Sequence, residues 1–259
     1  MRAHLASYAR RLAIGLLIAA QATIASPAAP AHAADRSFRL DLSTRGDFVA
    51  QANFVQCVGA SMQMMLNMIQ PSDDRTAKTQ LSLQKLARNL SGPSRTGFQR
   101  QGASVRGWMN GLNQLAAGPF RLVGAATLDE AMQTAALAIR TTGKPVGLLV
   151  WQGRHAWVMS GFEATADPLR DSTFQVTKAV VLDPLYPHGS LKWGASPGPR
   201  QAISVTTVGR QFVPRRQGSW PGGVVGPGGA SSLAYLAGKY VLVLPYRFEL
   251  RGTLDHLAI

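Results

Sequence analysis

The sequence contains a single cysteine, Cys57, in 259 residues. One thiol excludes an intramolecular disulfide framework and any zinc site built on several thiolates. Acidic side chains are scarce as well: 13 Asp and Glu stand against 27 Lys and Arg, a formal charge of +14. That excess suits an anionic environment or partner and carries no information about fold. Long hydrophobic runs are also missing. The apolar stretch Leu12–Ala20 is well short of the ~20 residues that cross a bilayer, and no later segment approaches that length. What the chain does have is a 46% hydrophobic content, ordinary for a folded protein and incompatible with wholesale disorder.

The N-terminus is basic, with Arg2, Arg10 and Arg11, and is followed by the apolar run and then by small residues ending in Ala31-His32-Ala33. These three parts in this order predict a secretory signal peptide over residues 1–33, and therefore a secreted or cell-envelope protein. The Arg10-Arg11 pair lacks the flanking residues of a twin-arginine signal. Cleavage leaves residues 34–259, a charge of +11 and no transmembrane span.

The remainder reads as helices first and strands second. Ser37–Leu42 alternates like a half-buried strand. Cys57–Ile69 is apolar on nearly all faces, as a central helix is. Leu81, Leu83, Leu86 and Leu90 mark a second helix, and Ser104–Ala117 a third. Thr127-Leu-Asp-Glu130 is a capping box opening a helix that Gly143 stops. Strands are expected at 146–151, 156–162, 176–182, 201–208 and 240–246. A Gly-, Pro- and Arg-rich loop fills about 209–232. This order predicts an α+β protein of one domain, a helical half packed on an antiparallel sheet.

Chemistry concentrates in a few residues. Cys57 opens the apolar helix, where unpaired backbone N–H groups and the helix dipole favour a thiolate nucleophile. Gln51, six residues earlier, is placed to donate to an oxyanion; Gln56 adjoins the cysteine too directly to reach over the same carbonyl. Of the histidines after residue 33, His188 lies in a Pro/Gly-bounded loop and His256 in the tail. His155 follows a turn at the start of a strand, a rigid place from which to present a general base. Asp183 ends the next apolar strand before Pro184 and is placed to orient the imidazole; Asp167-Pro168 offers the same dipeptide in a polar loop.

The segments Gln51–Met62, Gly147–Gly161 and Val180–Pro184 together resemble the papain-like cysteine peptidases, and within them the compact bacterial branch of bacteriocin leader-processing domains and stand-alone secreted relatives. Where that branch has Asp-Cys-Gly, this chain has Gln56-Cys57-Val58. The resemblance implies a papain-like fold and a peptidase acting on a peptide or protein substrate. It implies Cys57 as nucleophile, His155 as base, Asp183 as its orienting partner and Gln51 in the oxyanion hole, with no metal or organic cofactor. The alternative is a non-catalytic binding protein, held by its positive charge on cell-wall polymers or lipid headgroups, with the 209–232 loop, Phe212 and Trp220 as the contact element. Nucleic acid is not an expected partner, since the loop contains no base-stacking module.

Overall fold

A β-strand can be apolar on both sides only if both faces of its sheet are covered. The run Val146–Val150 is buried at every position, which already requires a layer above and a layer below it. The computed structural model describes residues 37–92, 102–216 and 233–247. Along them run β1 (Phe38–Asp41), α1 (Cys57–Ile69), α2 (Ala77–Asn89), α3 (Val105–Gln114), β2 (Phe120–Ala125), α4 (Leu128–Thr142), β3 (Val146–Val150), β4 (His155–Ala164) and β5 (Val176–Leu182). The short β6 (Gly189–Ser190) and β7 (Gly194–Ala195) follow, then β8 (Gln201–Ser204), α5 (Val205–Gly209) and β9 (Tyr240–Pro245). The expected signal peptide, residues 217–232 of the loop with Trp220, and His256 lie outside the described residues.

The main sheet is antiparallel, in the order β2-β9-β3-β4-β5-β8. The long strand β4 pairs with β3 through its first half and with β1 through its second, and with β5 along its other edge. Alternation then sorts the side chains. Val146, Leu148 and Val150 of β3, Trp157 and Met159 of β4, and Leu242 and Leu244 of β9 pack with α4. Leu149, Ala156, Val158, Val241 and Val243 pack with α1, α2 and α3. The architecture is α+β as expected, but helices cover both faces of the sheet rather than one helical half covering one face.

Local chemistry explains most boundaries. Thr127 Oγ1 accepts from Glu130 N at 3.1 Å, while the Glu130 carboxylate reaches back one residue further than in a simple capping box, to Ala126 N at 2.7 Å. Gly143 ends α4 at φ 66°. The expected strand 201–208 is corrected by the structure: it stops at Ser204, whose hydroxyl accepts from Thr207 N at 3.2 Å and starts α5 instead. The β-branched run Val205-Thr-Thr-Val208 carries the strand signal, but the serine cap decides. Phe212, expected as a surface contact residue, is fully buried with its ring edge-on to Tyr240 at 5.3 Å. Strand β2 was not expected. It forms because it pairs along its whole length with β9 at the sheet edge. No helix among the described residues is long and apolar enough to cross a membrane.

The three helices on one face approach closely. A Cβ on Gly107 of α3 would run into the Ala87 carbonyl of α2. Gly107→Ala gains ~1 kcal/mol of helix propensity, but forcing a methyl against backbone costs up to ~3 kcal/mol. The expected outcome is a net loss of about 2 kcal/mol in urea unfolding; a stabilised variant would show that the α2–α3 crossing yields.

Candidate active site

An imidazole works beside a thiol only if its ring is held by something other than the thiol. The antiparallel pairing of β4 with β5 supplies that. The chain leaves along β4 and returns along β5, so the end of β5 comes back to the start of β4, with Leu182 opposite Val158. Asp183, the next residue, is fully buried and meets the ring that opens β4: His155 Nε2 lies 2.7 Å from Asp183 Oδ1. Leu185 N donates to the same oxygen at 2.9 Å and fixes the carboxylate.

Cys57 is the second partner of the ring: together with Asp183 its side chain strengthens the hold of His155 on its proton. With Nε2 engaged by Asp183, Nδ1 is the ring nitrogen left for the thiol. Helix α1 is tied over β4 by Ser61 Oγ, which donates to Ala156 O at 3.3 Å, one residue past the histidine. Of the expected site residues, the fold joins His155 and Asp183 by a direct hydrogen bond, and Cys57 acts on the same ring. His188 is exposed in the turn after β5. Asp167 is engaged elsewhere, gripped by Arg140 through two bonds of 3.0 and 2.9 Å.

Gln51 reaches the same region by its backbone. Its N–H donates to Pro184 O at 2.7 Å, beside the aspartate. Its side-chain Nε2 donates to Asn53 O at 2.8 Å, which leaves one amide hydrogen for another acceptor. Gly59 N is capped by Gln84 Oε1 at 3.0 Å, while Cys57 N has no protein acceptor among the described residues.

Several supporting residues escaped the sequence reading. Gln80 and Gln84 lie one turn apart on α2, both buried, and hold the segment before the cysteine from below. Gln80 bonds Ala50 O and Ala52 N at 2.9 and 2.7 Å, and Gln84 bonds Val55 O at 2.8 Å. Their i, i+4 spacing was the available signal. Trp151, expected as the last residue of a strand, instead begins the β3–β4 turn at φ 57°, a left-handed conformation costing a bulky residue ~1 kcal/mol or more. Its indole stacks on the His155 ring, centroids 4.2 Å apart and planes 25° from parallel.

The electrostatics follow from burial and partners. His155 is only 4% exposed. Burial by itself drives the imidazole toward its neutral form. The hydrogen bonds to Asp183 and Cys57 and the charges of both outweigh it and raise its pKa to about 9. Among the described residues no group of three or more His, Cys, Asp or Glu is arranged to hold a metal ion. Comparison with known families, curated proteins and solved structures finds no match to this chain.

The folded ring keeps its proton to about pH 9, whereas an unfolded histidine releases it near ~6.5. The ring's contribution to stability is therefore complete below about pH 6.5 and is lost as the pH rises toward 9. Histidine NMR of the folded chain is expected to place the His155 midpoint near 9 and to find it lowered in Asp183→Asn. A wild-type midpoint at or below the free-histidine value would mean that burial prevails over the partners.

Proposed function

We propose that this chain is an exported cysteine hydrolase of papain-like type that cleaves a peptide or amide bond through Cys57, His155 and Asp183. The observation carrying the proposal is the His155 ring: buried, bonded to a buried carboxylate at one nitrogen, and electrostatically coupled to the only thiol in the sequence. A structural cysteine has no need of such a neighbour. The residue order and the helix-borne cysteine facing a strand-borne histidine support the papain-like reading. The basic, apolar and small-residue parts of residues 1–33 support export.

The chemistry proceeds in two halves. The Cys57 sulfur attacks the acyl carbon, and the carbonyl π electrons move onto its oxygen to form a tetrahedral oxyanion. The Cys57 N–H and the remaining Gln51 amide hydrogen are the donors for that oxygen. The tetrahedral carbon re-forms its carbonyl and expels the amine, which takes the proton from His155, leaving a thioester and a neutral ring. The ring then takes a proton from water as the water attacks the thioester; the tetrahedral carbon expels the sulfur as a thiolate and releases the acid, and the ring keeps the proton, restoring the starting pair. Asp183 keeps Nε2 engaged throughout and supports the positive ring.

Cys57 is expected to react with iodoacetamide at pH 6 at least about tenfold faster than glutathione, and His155→Ala to remove that advantage. Hydrolysis of a mixed peptide pool should disappear in Cys57→Ala and fall by about 100-fold or more in Asp183→Ala. Activity should decline on the alkaline side as His155 loses the proton it gives to the leaving amine, near pH 9. Glutathione-like labelling, unaffected by His155→Ala, would reject the proposal.

A further inference from the structure

A single hydrogen bond fixes one point of an imidazole and leaves its plane free to tilt. His155 must present two nitrogens in two directions at once, so the tilt matters. The residue that controls it lies four positions earlier. We propose that Trp151, clamped by Gln211, is the positioning residue that holds the His155 ring in plane between Cys57 and Asp183. This rests on the hydrolase reading of the same site.

The clamp is built from three hydrogen bonds. Trp151 Nε1 donates to Gln211 Oε1 at 2.9 Å, and Trp151 N donates to Gln211 O at 2.9 Å. Gln211 Nε2 donates in turn to Ala195 O at 2.9 Å. The indole N–H is a donor only and the backbone carbonyl an acceptor only, so the orientation of the Gln211 amide is unambiguous. Gln211 is itself buried, and it joins the turn carrying Trp151 to the small hairpin β6–β7 that follows Asp183. The tryptophan thus takes its position from two segments of the chain, neither of which belongs to α1 or β4.

Its backbone points the same way. Trp151 and Gln152 both adopt positive φ, at 57° and 60°, in a turn where only Gly153 is free to do so without strain. A non-glycine residue persists there only when its surroundings determine it, and such residues gather at functional sites. Here the strain has an identifiable product: a flat ring laid 4.2 Å from the imidazole. The indole face is negative, so it suits a ring that carries a positive charge, and it denies water one face of that ring. A tryptophan serving only to fill the core would need neither the left-handed turn nor a buried amide dedicated to its N–H.

The test uses the full chain with Trp151→Phe, Trp151→Leu and Gln211→Leu. Two readouts are followed: the rate of Cys57 alkylation by iodoacetamide at pH 7, and the pH titration of tryptophan emission. Trp151→Leu should slow alkylation by about 10- to 100-fold, Trp151→Phe should stay within about threefold of wild type, and Gln211→Leu should fall between them. Wild-type emission should carry a component that titrates together with His155 and is missing from Trp151→Phe and from His155→Gln. A merely structural tryptophan would lower the unfolding midpoint and leave the alkylation rate of the folded protein unchanged, and that result would overturn the proposal. Absence of the titrating emission component would overturn it as well, because it denies the stack. A wild-type thiol that labels no faster than glutathione counts instead against the hydrolase reading, and the emission titration still decides whether Trp151 lies on the ring.

Discussion

A positively charged imidazole inside a protein survives only beside negative partners. Desolvation alone would strip the proton from His155, and the hydrogen bonds and charges of Asp183 and Cys57 reverse that outcome. Everything else in the site follows from this requirement. The two partners come from opposite layers of the molecule: Asp183 from the end of a sheet strand, Cys57 from the first turn of a helix packed on the sheet. A carboxylate misplaced by an ångström or two would leave a buried charge uncompensated, which typically costs ~3–5 kcal/mol. The fold therefore holds each segment by bonds that do not involve the ring. Leu185 N fixes the carboxylate, Ser61 ties α1 to β4, and Gln80 and Gln84 grip the chain leading to the cysteine.

Covering the sheet on both faces makes this possible. A sheet with one wet face would expose the start of β4 to water, and water would screen the ring from its partners. Here α4 lies under one face and α1 to α3 over the other, and β3, β4 and β9 send apolar side chains both ways. The antiparallel return of β5 then brings the carboxylate in beside the histidine without any long connection. The 28 positions from one to the other are the strand β4, a loop and the strand back.

Much of this was legible in the sequence where local chemistry decides. Helix α1 begins at Cys57 because the apolar pattern begins there, and α4 runs from its threonine cap to its glycine stop. Strand β5 ends where Asp183-Pro184 breaks the ladder. The order of Cys57, His155 and Asp183 was readable, but the bond between His155 and Asp183 is a product of strand register, which no window of residues contains. The features missed are tertiary in origin. Strand β2 depends on β9, more than a hundred residues away in the chain. Gln80 and Gln84 look like surface glutamines on an amphipathic helix until the loop they hold is in place. Trp151 looks like a strand residue because its apolar neighbours are, and only the chain reversal over Gln152-Gly153-Arg154 turns it back over the ring.

The choice between a hydrolase and a peptidase-like binding protein turns on what the buried pair would be for. Replacing a buried ion pair with well-packed apolar side chains is often neutral, or stabilising by ~1–4 kcal/mol. A protein that needed the fold alone would gain by such an exchange at His155 and Asp183, where Val158, Leu182 and Met159 already supply an apolar setting. The same region holds further acceptors that no protein donor meets: Asp183 Oδ2 and the side-chain oxygens of Gln51 and Gln56 are buried without a partner among the described residues. Each such group costs ~1–3 kcal/mol. These three lie on the two segments that frame Cys57 and His155; the others among the described residues are Gln63 Oε1, Trp108 Nε1, Trp157 Nε1 and Ser196 Oγ. A binding role through surface charge offers no compensation for them, because none of these atoms is at the surface. The proposed nucleophilic chemistry at Cys57 would, since it uses the proton that this arrangement favours on the ring.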